Sequence, residues 1–231
     1  MRWYPRDQDP VGPDTFIPIA EDSGQMTQIG NWVMGEVCRQ LSQWNELFGE
    51  FPIVAVNIST RQLESDEFRL KFQSQLKQYN VPGHVIELEL TETAVMNDPE
   101  FVMSELNRLN NLGVKISIDD FGTGYSSLDY LRRLPLDFLK IDKSFTQGIG
   151  GSANDEELIK LMVTMAHTME LQVIAEGVET SDQVEFLSEL GCDLLQGYLL
   201  CHPKPAKELI QNLAESFTPP GSLMPGDRPV H

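Results

Sequence analysis

A chain of 231 residues, 41% hydrophobic and 23% charged, fits one globular domain or one compact α/β barrel and carries too much apolar side chain to be disordered. Thirty-five acids against 17 bases leave a formal charge of -18, which repels DNA and RNA polymers but admits a small phosphorylated ligand where divalent cations invert the local sign. Cys38, Cys192 and Cys201 form no CxxC pair, and no apolar run reaches the roughly 18 residues of a membrane span, so neither a disulfide framework, a zinc site nor a membrane contact is expected and the setting reads as cytoplasmic.

In chain order, the amphipathic stretch MTQIGNWVMGEVCRQLSQWNELF predicts a long helix, followed by the strand PIVAVNIS over 52–59. A helix over DEFRLKFQSQLKQY leads to the strand VIELELT at 85–91. Asp98 before Pro99 is an N-cap followed by Pro at the first helical position, and Gly113 stands where that helix, PEFVMSELNRLNNLG, should stop. Phe101, Leu106 and Leu109 share one face of it, as packing on a barrel requires. The strand VKISIDD at 114–120 runs into FGTGYSSLDYL, whose glycines allow a tight, mobile connection capped by Ser126 or Ser127. DFLKID at 137–142, LQVIAEG at 171–177 and CDLLQGY at 192–198 are the remaining strands, with helices DEELIKLMVTMAHTM and SDQVEFLSEL between them, the second capped by Thr180 or Ser181. Strands alternating with helices predict βαβ units and a parallel sheet. From about Phe217 the composition turns to Pro and Gly, so 1–217 reads as one domain and 218–231 as a disordered tail.

Each of the six runs carries a polar or ionisable residue near its end: Asn57, Glu89, Asp119 with Asp120, Lys140, Glu176 and Gln196. In a parallel barrel those ends meet on one rim, where the active sites of such enzymes lie. Carboxylates with an amide oxygen, and no clustered His or Cys, make a hard oxygen site suited to Mg2+ or Mn2+. Two such ions, about 4 Å apart, would clamp the attacking water and leaving oxygen of a phosphoester. Alternation along a strand points Asp119 and Asp120 to opposite faces, but a chain turning at the strand end lets both address metal. Alone, an Asp pair is more often a turn or a helix cap, and Glu176 and Glu179 are helix-start acids; repetition of one placement on successive strands carries the inference.

Taken together, FIPIAEDSG, VNIS, ELELTET, IDDFGTGYSSL, LKIDKSF, VIAEGVET and LQGY resemble, in order and spacing from about Arg2 to Ala206, the motifs of the EAL-domain family of cyclic-di-GMP phosphodiesterases. The resemblance implies a TIM-type (β/α)8 barrel that hydrolyses c-di-GMP to linear pGpG with Mg2+ or Mn2+. It implies that Asn57, Glu89 and Asp119 bind the first metal and Asp119, Asp120 and Glu176 the second. It further implies that Lys140 orients the nucleophilic water, that Glu92 braces the DDFGTG loop, and that Glu179 and Gln196 serve binding or turnover. Arg2 matches the family's arginine that contacts a ligand phosphate.

The family motif reads Glu-Ala-Leu, a variable residue, Arg, Trp, whereas this sequence begins Met1, Arg2, Trp3. The resemblance therefore sets the first-metal glutamate and two strands before Met1, and six strand candidates with those two make the eight of a closed barrel. These residues alone are expected to have weak or no phosphodiesterase activity. A non-catalytic c-di-GMP receptor acting through partner or dimer contacts is the alternative, and the resemblance implies fused upstream sensory or GGDEF domains in a parent protein.

Overall fold

The computed structural model describes residues 3–6, 9–124 and 128–210. Arg2, Ser126, Ser127 and the tail over 218–231 lie outside them. Helix α1 (Pro13–Asp22) and helix α2 (Met26–Phe48) precede strand β1 (Val54–Asn57), and short α3 (Thr60–Leu63) and α4 (Asp66–Gln78) lead to β2 (Ile86–Thr91). Helices α5 (Glu92–Asn97) and α6 (Pro99–Asn110) then connect to β3 (Lys115–Phe121), and α7 (Leu128–Leu131) precedes β4 (Phe138–Ile141). Helices α8 (Lys143–Thr146) and α9 (Ala153–Thr168) precede β5 (Gln172–Ala175), and α10 (Ser181–Glu189) precedes β6 (Leu194–Leu195).

All neighbouring strands pair in parallel, and the sheet order β1-β2-β3-β4-β5-β6 follows the chain order. Sequential parallel strands with helices between them are six strands of a (β/α)8-type barrel, the expected class. Strand β2 shows why the sheet sits as it does. Its Ile86, Leu88 and Leu90 are fully buried in the core with α6 residues Leu106 and Leu109, while Glu87 and Glu89 occupy the alternate face. On that inner face, register sets Asn57 beside Glu89 and Glu89 beside Ser117, so a polar layer runs across the sheet below its C-terminal rim.

The helix ends follow their sequence signals. Asp98 Oδ1 accepts from Phe101 N at 3.2 Å with Pro99 at the first position, and Thr180 Oγ1 accepts from Gln183 N at 3.3 Å. Helix α6 ends at Asn110 with Asn111 as its cap, and Gly113, at φ +83°, turns the chain into β3 two residues later. The three thiols are free, and burial pushes those of Cys38 and Cys192 up to about 11. Among the described residues no helix is long and apolar enough to cross a membrane.

Sequence reading missed α1, where Pro18 lies inside the helical run, and the four-residue helices, which are too short to show a period. It also overextended the last strand. Only Leu194 and Leu195 pair, because Asp193 spends its side chain capping Val173 N at 2.7 Å and the chain turns away at Gly197. A Cβ on Gly197 would lie 2.0 Å from the Val178 carbonyl oxygen, so only glycine permits this approach.

Candidate metal centre at the strand ends

Lys140 is the hub of the site. It leaves β4 on the inner face, only 2% exposed, and its ammonium binds Glu89 Oε1, Glu176 Oε1 at 2.6 Å and Asp119 Oδ1 at 3.5 Å. Burial alone would lower the lysine; the Glu89 and Glu176 carboxylates overrule it and hold Lys140 above the ordinary range, so it stays charged. Burial raises Glu89 and Glu176, with Lys140 pulling against it. Asn57 completes this layer from β1 by donating its Nδ2 to Glu89 Oε2 at 2.9 Å.

The adjacent aspartates converge through a break in β3. The register with β4 shifts between Ile118 and Phe121, and Asp120 adopts φ +55°, a left-handed conformation that a β-carbon disfavours. The strand continues to Phe121, so this irregularity inside it, rather than a turn at its end, brings the second carboxylate round. Ligand atoms of Asp119, Asp120 and Glu176 all lie within 4.8 Å of one another. Burial and the neighbouring carboxylates of Asp119 and Asp142 push Asp120 up. Four carboxylates thus face one ammonium, an excess of negative charge that suits a hard divalent cation and fits the metal chemistry expected of this rim.

The remaining candidates separate into two groups. Glu92, 2% exposed, lies under the turn that follows β3 and accepts from Gly122 N at 2.9 Å. A Cβ on Gly122, itself at φ +96°, would meet Met162 Cε at 2.5 Å and Phe145 Cε2 at 2.8 Å, so the turn is seated between Glu92 and the α8–α9 pair. Glu179 and Gln196 have exposed side chains outside the Lys140 cluster, although their backbones stand on adjoining segments: Val178 N donates to Gln196 O at 3.0 Å and Gln196 N to Ala175 O at 2.8 Å. Arg2 lies outside the described residues. Sequence reading missed two contributors. Asp142, the N-cap of α8, adds its charge beside Asp120, and Gln183 carries the loop of Glu176 and Glu179; the spacing Thr180 to Gln183 is a capping box and was the available signal.

The family model described as "EAL domain" matches residues 1–203. The chain belongs to the EAL-domain family. Among curated relatives, this EAL domain is 40% identical over 215 residues to the bifunctional diguanylate cyclase/cyclic di-GMP phosphodiesterase MucR of Pseudomonas aeruginosa, covering 93% of the chain and 31% of that protein. It is 43% identical over 209 residues to the cyclic di-GMP phosphodiesterase NbdA of the same organism, covering 90% of the chain and 27% of that protein. The chain therefore spans under a third of these relatives. The solved PaMucR phosphodiesterase in complex with c-di-GMP superposes with a TM-score of 0.85 at 40% identity, over 90% of this chain and 84% of that one.

Proposed function

We propose that this EAL domain is a cyclic-di-GMP phosphodiesterase module that opens one phosphodiester of the ring to give linear pGpG. The observation that carries the reading is the convergence of Asp119, Asp120 and Glu176 ligand atoms within 4.8 Å beside a buried, charged lysine. Asn57, Glu89 and Asp119 would hold one Mg2+ or Mn2+, and Asp119, Asp120 and Glu176 a second; bound there, such ions supply Lewis acidity to a phosphoryl oxygen and acidify water.

The side chains themselves define the rest. Lys140 is held protonated, so it donates a hydrogen bond to the attacking water and orients it, and it does not act as the base. Water oxygen adds to phosphorus and keeps one of its protons, the bond from phosphorus to the ribose 3′ oxygen breaks, and that oxygen takes up the equivalent of the water's other proton through solvent. The phosphate stays on the 5′ carbon of pGpG. Glu92 keeps the turn after Asp120 in register through Gly122 N, and exposed Glu179 and Gln196 are free to meet the guanine edges and ribose of the ligand.

The test is incubation of the 231-residue chain with c-di-GMP and millimolar Mn2+, with pGpG read by chromatography and binding by calorimetry. The expected result is c-di-GMP binding with slow pGpG formation that Asp119→Asn abolishes. Binding without any turnover would favour the receptor reading. A folded sample that neither binds nor hydrolyses c-di-GMP at micromolar concentrations would sink both.

A further inference from the structure

We propose that Gln183 is a positioning residue that fixes the Glu176–Glu179 loop to α8 and thereby sets the Glu176 carboxylate opposite Asp119 and Asp120. The inference rests on the metal-dependent reading of the site. Gln183 is 6% exposed and makes hydrogen bonds with both ends of its amide. Its Oε1 accepts from Glu179 N at 2.7 Å and from Thr180 N at 3.0 Å, and its Nε2 donates across to the Thr146 carbonyl at 3.0 Å. The partners define the orientation of the amide, since two N–H groups require an acceptor and a carbonyl requires a donor.

Of the first two bonds, that from Thr180 N belongs to the capping box of α10, and both are served equally well by glutamate, which such a box also carries. The third is not. Only an amide both accepts from the loop and donates to α8, so glutamine at this position ties two segments that each enter the site. Thr146 closes the short helix that begins three residues after Lys140, while Glu179 N lies three residues after Glu176, the carboxylate that Lys140 holds at 2.6 Å. The tie is therefore a third link between the β4 and β5 exits, beside the Lys140–Glu176 ion pair and the bond from Glu176 N to Ile141 O at 3.1 Å, and the one that reaches the far end of the loop. Bonds that orient a ligand from behind set metal affinity as the ligands do.

The experiment compares the wild-type chain with Gln183→Met and Gln183→Glu, reading Mn2+ affinity by electron paramagnetic resonance, amide hydrogen exchange residue by residue, and thermal unfolding. In the wild type the Glu179 and Thr180 amides should be protected. Gln183→Met should free both and weaken Mn2+ by up to about tenfold, the low end of the cost of losing a group bonded to a ligand itself, because Gln183 reaches Glu176 through the loop backbone. Gln183→Glu should keep both amides protected and α10 intact, yet still weaken Mn2+, because the bond to Thr146 is gone. Wild-type Mn2+ affinity in Gln183→Glu would overturn the proposal and leave Gln183 a helix cap, and fast exchange at Glu179 and Thr180 in the wild type would overturn it without any variant. Should the wild type bind no Mn2+ while these amides are protected, the metal reading fails separately; unchanged exchange at Gly177 and Val178 in both variants would then overturn the positioning role. If Gln183→Met does not fold, Gln183→Glu decides.

Discussion

Lys140 supplies positive charge among carboxylates that cannot otherwise share so small a space, as a bound cation would. Removing it as Lys140→Met leaves Glu89, Asp119 and Glu176 without their cation, and breaking a buried pair from one side costs about 3 kcal/mol or more. Urea unfolding without divalent ions should show that loss, and Mn2+ should stabilise the variant more than the wild type because it replaces the missing charge. Asp120 makes the opposite case. It sits at φ +55° with its charge pressed by Asp119 and Asp142, so Asp120→Asn keeps a side chain that tolerates this backbone and removes the repulsion. The apo chain should gain about 1 kcal/mol in the same unfolding experiment while losing Mn2+ binding, the ordinary trade between stability and a strained site. The polar rim was legible in the sequence because each strand run carries a polar or ionisable residue near its end. The means of bringing Asp119 and Asp120 together was not, since the register shift depends on how β3 meets β4, which no local pattern encodes.

At the scale of elements, the strands and long helices were legible because alternation in segments such as IELELT and capping at Asp98 and Thr180 are local signals. Helix α1 and the four-residue helices take their shape from tertiary neighbours. The same holds for the junction of β6 with the Glu176–Glu179 loop, where Val178 and residues 196–199 exchange backbone hydrogen bonds. Gly197 permits that seam. Gly197→Ala would force a Cβ to 2.0 Å from Val178 O and 2.3 Å from Val178 N, both backbone atoms that cannot rotate away. The seam should open at a cost of about 1–3 kcal/mol, the range for overpacking a well-filled site, and amide exchange at Val178 and Leu199 should accelerate well beyond that of β2 and β3.

For the whole molecule, the six strands leave β1 and β6 each with one unpaired side among the described residues. Next to them stand exposed apolar side chains: Ile53 before β1, and Leu194, Leu199 and Leu200 at and after β6. An unpaired edge flanked by apolar groups is a template for another strand, and a second copy of these 231 residues carries complementary edges of the same parallel sheet. The net charge of -18 opposes that encounter, because two copies repel across any distance shorter than the screening length. Raising ionic strength from about 0.01 M to about 0.1 M shortens that length from about 30 Å to about 10 Å, so association should strengthen with salt, whereas a contact built on ion pairs would weaken. Light scattering on the isolated chain at rising concentration should show dimers or larger species that grow between those two salt levels. Leu194→Lys should suppress them by charging the β6 edge. A chain that stays monomeric at both salt levels would show that these edges are closed by other means, and a Leu194→Lys variant that associates as the wild type does would place the contact away from the β6 edge.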